Sequence, residues 1–288
     1  MNTRSCRPTA AGRENVGPCR WAPVLIAALV TWGALSTGSR AQRTSDPVLP
    51  QKPKVDQHTL FLAHFNQGFE ADFARGDGKP LKRDNRGGAL LAPGRFGRAL
   101  SVPRGAFGIA YATEKNIDAR QGTVEFWVRG KFPRPTAADP QKVSLPFFTA
   151  GCDQTGLGIF RSQYNHVGCV VNEGYKGTMS LVFSNAGENR IDDGKWHHLA
   201  VTWDAEHAAL FLDGRRKAWT EKPVYPSVGN WTNGSMAVGY AIDSDYYYAG
   251  SSDKAGFVPK SAQGEIDELR ISDVVRYVAD FIPPDREF

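Results

Sequence analysis

What most limits the folds open to this chain is a period. Its apolar residues recur at every second position in short runs, and almost nowhere at every third or fourth. In GTVEFWVRGKF, Val124, Phe126 and Val128 alternate with Glu125, Trp127 and Arg129. In WHHLAVTWD, His197, Leu199, Val201 and Trp203 alternate with His198, Ala200 and Thr202. Side chains two apart share a face of a strand, so each run describes a strand with one face turned to a core. Between AALFL and RRKAW lies Asp213-Gly214, the pair a two-residue hairpin turn prefers because both central residues take positive φ. Further runs of this kind are TLFLAHF, ALSVP, FGIAYA, SLPFFTAG, GLGIFRS, GCVVNE, TMSLVFS, SMAVGY and EIDELRIS. Many short strands with glycine-rich punctuation and scarcely a helical repeat predict an all-β, antiparallel two-sheet sandwich.

The first forty residues stand apart from this pattern. Arg4, Arg7, Arg13 and Arg20 precede the apolar run Ala22 to Leu35, and Ser39 and Ala41 offer small residues for cleavage. Residues 1–41 therefore read as a secretory signal peptide, because the apolar run falls short of the roughly 20 residues that span a bilayer. Residues 42–57, QRTSDPVLPQKPKVDQ, form a polar, proline-bearing linker, and residues 58–288 form one domain. The expected location is secreted, extracellular or periplasmic, with no membrane attachment after cleavage. Removing residues 1–41 takes away five arginines and Glu14, which leaves 30 cationic and 29 anionic side chains from the 35 and 30 of the whole chain. So small a net charge is no footprint for nucleic acid.

Cys6 and Cys19 leave with the signal, and Cys152 and Cys169 remain. Two cysteines in an oxidising compartment favour one disulfide, which would stabilise by roughly 3 kcal/mol if unstrained. The adjacent histidines His197 and His198 point to opposite faces of a strand and so do not make a helical zinc pair. His197 shares its face with Leu199, Val201 and Trp203, which reads as a packed, hydrogen-bonded ring.

Five segments, in order, carry a resemblance: PGRFGRALSVP, GTVEFWV, DDGKWHHLAVTWD, ALFLDGRR and GEIDELRISDVVRYVADFIPP. Together they resemble the landmarks of laminin-G-like jelly-roll domains in the concanavalin A-like lectin/glucanase superfamily. The resemblance implies a two-sheet jelly roll acting as a secreted binding or adhesion module, sometimes with calcium. It also raises glucanase chemistry, in which a strand reading Glu, any, Asp and then Glu displays two carboxylates about 5 Å apart. Here GEIDELR supplies Glu265 and Asp267 on one face. The next same-face residue is Leu269, or Arg270 if a bulge intervenes, and neither acts as the second acid. Glu268 faces away in a regular strand. A catalytic role for Glu265 and Asp267 is thus the lesser reading.

Recognition is expected in the loop AIDSDYYYAGSSDKAGFVPKSAQ, which is long for a hairpin connection. Tyr246, Tyr247 and Tyr248 pair apolar faces with hydroxyls, suited to stacking on a sugar or meeting an extracellular protein. Asp243 and Asp245 are the candidate calcium ligands. Asn230 and Asn233 fit the N-glycosylation pattern.

Overall fold

The computed structural model describes residues 55–81, 88–130, 132, 145–152, 155–162, 164–173, 178–221, 234–241 and 261–288. Two antiparallel sheets are built from β1 (Thr59–Ala63), β2 (Phe73–Ala74), β3 (Leu90–Pro93), β4 (Arg98–Val102), β5 (Ile109–Ala112), β6 (Gly122–Arg129), β7 (Leu145–Cys152), β8 (Thr155–Arg161), β9 (His166–Glu173), β10 (Thr178–Ser184), β11 (His197–Trp203), β12 (His207–Leu212), β13 (Arg215–Glu221), β14 (Ser235–Val238) and β15 (Gly264–Ser272). Sheet A runs β13-β12-β11-β6-β15-β1-β2, with β4 paired to β15 and β3 to β4; sheet B runs β10-β9-β8-β7-β14-β5. A single 3-10 turn, Gly187–Asn189, is the helical element among the described residues. The chain is the expected antiparallel jelly-roll sandwich.

Period two decides what lies inside. Val124, Phe126 and Val128 of β6, Leu199, Val201 and Trp203 of β11, and Ile266 and Ile271 of β15 face a continuous core. Sheet B answers with Ile109, Tyr111, Phe147, Leu157, Ile159, Val167, Leu181 and Met236. Each such side chain contributes roughly 1.5–3 kcal/mol when removed from water. Trp203 also satisfies its indole, Nε1 donating to the Ala119 carbonyl at 3.1 Å. The β12–β13 turn takes the form its sequence asks for, with φ of 49° at Asp213 and 74° at Gly214.

Sheet A is covered on its other face as well. After β15, residues 273–288 run as a strap across its outer side. Tyr277 and Phe281 stack on each other with centroids 3.5 Å apart, and both pack on Phe211 of β12. Phe281 donates its N–H to the Gly214 carbonyl at 2.8 Å. The strap ends at Phe288, whose ring lies 3.8 Å below the Arg270 guanidinium.

The expected Cys152–Cys169 disulfide is not formed, since Cys169 is a free, buried thiol. Register explains why. Cys152 of β7 opposes Thr155 of β8, which opposes Glu173 of β9, while Cys169 lies four residues further along β9. Two strand spacings across and four residues along separate the two Cα atoms by about 16 Å, far beyond the roughly 7 Å a disulfide spans. Cys169 packs in the core instead, where burial pushes its thiol up to about 12.

Candidate functional site

β15 carries the acidic residues on which the enzymatic reading turned. A bulge between Asp267 and Arg270 breaks its register with β6, and Glu268 takes φ of 55°. Leu269 consequently turns into the core, and Arg270 follows Asp267 on the outer face, opposite Glu125. Glu265 meets Arg129, Nε to Oε2 at 3.2 Å. Asp267 is fully buried: its Oδ2 accepts the N–H groups of Arg95 at 2.7 Å and Phe96 at 3.1 Å, and its Oδ1 accepts that of Glu268 at 2.9 Å. This carboxylate therefore shapes the PGRFGRA turn. Burial pushes it up to about 7 against those three donors.

Glu268 lies beside His64, whose Nε2 is 3.5 Å from Oε2, and the same Oε2 accepts the Phe288 N–H at 2.9 Å. Oε1 has no hydrogen-bond partner. Burial raises Glu268 to about 8, with the Asp267 and Glu287 charges adding and the His64 charge opposing. His64 itself is raised: burial lowers it, but hydrogen bonding to Asp72 and the Glu268 charge outweigh that.

Across the face stands a third buried carboxylate, Glu125. Arg270 approaches its Oε1 with Nε at 2.9 Å and Nη2 at 2.8 Å, and Tyr277 donates its hydroxyl to Oε2 at 2.7 Å. His198 reaches the same oxygen at 3.3 Å and packs between Trp127 and Phe281. His197, on the core face, binds Asp213 Oδ2 through Nδ1 at 2.8 Å and Asp193 Oδ1 through Nε2 at 3.1 Å. The histidine pair is thus split between two structural jobs, as its adjacency predicted. Sequence reasoning missed the Glu125–Arg270–Tyr277 network, although an acid and an arginine at matched positions of two predicted strands were visible.

One concavity of about 380 Å³ opens between the start of β1, the Arg75 turn, the 113–120 loop and Asp273. Asn116 fixes its walls, taking the Gly76 N–H on Oδ1 at 2.9 Å and donating to the Asp77 and Ala112 carbonyls at 2.8 and 3.0 Å. Its lining includes Leu60, Ile117, Arg75 and Asp118 but no aromatic ring.

Tyr246, Tyr247, Tyr248, Asp243, Asp245, Asn230 and Asn233 lie outside the described residues. The stem of the tyrosine loop is described: Tyr240 and Ser261 form an antiparallel bridge, and Ala262 donates to the Gly239 carbonyl at 2.7 Å. The residues that flank 242–260 are thus held to each other. Among the described residues, no group of three or more His, Cys, Asp or Glu is arranged to hold a metal.

A laminin G family model, described as concanavalin A-like lectin/glucanases superfamily, matches residues 105–280. The chain belongs to this superfamily. No curated protein sequence matches it. Similar solved structures include the binding domain of Paraclostridial Mosquitocidal Protein 1, with a TM-score of 0.57 and 11% identity over 76% of this chain and 50% of that one. The binding domain of Botulinum Neurotoxin DC in complex with SialylT gives 0.55 and 10% over 77% and 49%. Domain 4 of AbnA, a GH43 extracellular arabinanase from Geobacillus stearothermophilus, in complex with arabinotriose gives 0.47 and 22% over 76% and 95%. The chain spans about half the length of the two toxin domains it matches. At these identities the shared feature is the fold. In this superfamily member, the strand that would carry glucanase chemistry is occupied by structural bonds.

Proposed function

We propose that the chain is a secreted, non-catalytic module that binds glycan. One observation carries the reading: the acidic strand β15 is closed. Asp267 is taken up by three backbone N–H groups, Glu268 lies under the strap against Phe288, and Glu265 is paired with Arg129. A retaining glycosidase needs two carboxylates about 5 Å apart and open to substrate. On this face the residue after Asp267 is a guanidinium instead. Further support comes from the similar structures, which include two toxin binding domains, one of them in complex with SialylT. Tyr246, Tyr247 and Tyr248 are proposed contacts and Asp243 and Asp245 proposed calcium ligands, on a loop whose two ends are clamped to a rigid sandwich.

A glycan array probed with the purified chain, with and without chelator, tests this. Binding that Glu265→Gln leaves unchanged is the expected result, and loss of signal with chelator assigns the metal. Turnover of any array glycan that disappears in Glu265→Gln overturns the non-catalytic reading. A silent array overturns the glycan itself. An exported form beginning at Gln42 checks the leader.

A further inference from the structure

The strap leaves one aromatic ring of sheet A bare. Trp219 of β13 stands opposite Ala209, on the outer face that Phe211, Tyr277 and Phe281 share, yet it is 51% exposed. Two side chains frame it. The His207 ring lies parallel at 6.5 Å with an interplanar angle of 25°, and the Arg216 guanidinium sits 5.3 Å from the indole centroid.

Charge around the ring is mixed: Asp204 Oδ1 stands 3.8 Å from the His207 Nδ1 and Glu221 opposes His207 across the ladder, at the far end of β13 from Arg216. Asp280 takes the Arg215 Nη1 on Oδ2 at 2.9 Å and the Arg216 backbone N–H on Oδ1 at 2.8 Å. The Arg216 guanidinium spends one N–H on the Val278 carbonyl at 3.3 Å and meets no carboxylate within ion-pair distance among the described residues. Lys217 adds a third cation to the same strand. A guanidinium oriented by a carbonyl and a ring, with donors left over, is prepared for a planar anion.

We infer that Trp219, Arg216 and His207 form a platform for an acidic saccharide, a deepening that rests on the glycan reading above. The indole takes the C–H face of a pyranose ring, as aromatic faces do with flat apolar surfaces that have polar rims. Arg216 takes the carboxylate or sulfate, and His207 supplies a hydrogen-bond partner for a ring hydroxyl. All three side chains stand on paired strands rather than on a loop, so their geometry is held before ligand arrives. The indole and the exposed Val278 of the strap, whose carbonyl Arg216 binds, together still offer far too little apolar area for an ordinary protein interface, which buries about 800 Å² per partner.

The test is an array of uronic-acid, sialylated and sulfated oligosaccharides, each beside its uncharged counterpart. The wild-type chain should retain acidic members over their neutral counterparts. Trp219→Ala should weaken that binding roughly tenfold or more, with Trp219→Tyr keeping most of it. Arg216→Gln should collapse the preference for acid over neutral. Melting temperatures should stay near wild type in all three, since the side chains are exposed. Wild-type affinity in Trp219→Ala overturns the platform while leaving glycan binding intact. Preference for neutral members overturns the acidic class. Silence of the wild-type chain on every member overturns the underlying glycan reading and the platform with it.

Discussion

Glu125 and the Asp267–Glu268 pair lie at the same sheet, on adjacent strands, and none of the three carboxylates is exposed. Burial opposes the charged form at each. At Glu125 the His198 contact, the Arg270 charge and the Tyr277 hydroxyl outweigh it and hold the carboxyl down at about 2. Asp267 and Glu268 have backbone N–H groups and one imidazole but no guanidinium, and they rise to about 7 and about 8. The difference teaches that depth alone does not set charge in this sheet. A full counter-charge in register across the strand does.

The severest way to break the contrast is Glu125→Ala. It leaves Arg270 under the strap without its partner, and stability measured by urea denaturation should fall by about 3–5 kcal/mol. Glu268→Gln should act with the opposite sign. Because the folded Asp267 and Glu268 values lie above those of the unfolded chain, near 4, the native state holds extra protons and loses stability as pH rises from about 4 toward 8. His64, also raised, contributes stability that is present below its unfolded value and lost above its folded one, so it acts in the same direction. Wild-type chain should thus be less stable at pH 8.5 than at pH 5.5 by on the order of 1–3 kcal/mol, and Glu268→Gln should narrow that gap. An unchanged gap would remove the proton from the account. Tyr277→Phe removes one charge-assisted bond to Glu125 and should lose about 1.5–2 kcal/mol with no change in the alkaline slope. Smallest is Glu265→Gln, whose partly exposed pair with Arg129 contributes under about 1 kcal/mol, salt included in the comparison.

The strands were legible because alternation and turn residues are local signals. Even the Asp213-Gly214 hairpin could be placed from two letters. β3 escaped because Leu90–Pro93 is an edge strand largely open to solvent, with a proline and no alternation, and β2 because two residues carry no period. The strap escaped for a different reason. Tyr277 and Phe281 are an ordinary tail until sheet A offers them Phe211, so the burial of Glu125 and Trp127 on a face that reads as solvated comes from tertiary packing. The disulfide failed because cysteine count says nothing of register, and β8 lies between the two strands. At the candidate site, the bulge at Glu268 was open as an alternative, but nothing local in DELR announces a left-handed glutamate.

β15 pairs with both β6 and β1, so Phe61 near the beginning of the sandwich finds Ile271 near its end as a bonded neighbour. During synthesis, sheet A therefore lacks the strand that joins β6, β1 and β4 until β15 has emerged. Its folding is a long-range closure, slow by the contact order it implies, and a chain cut short before Gly264 leaves sheet A in three pieces, β13-β12-β11-β6, β1-β2 and β3-β4, with open edges that are templates for pairing with another copy.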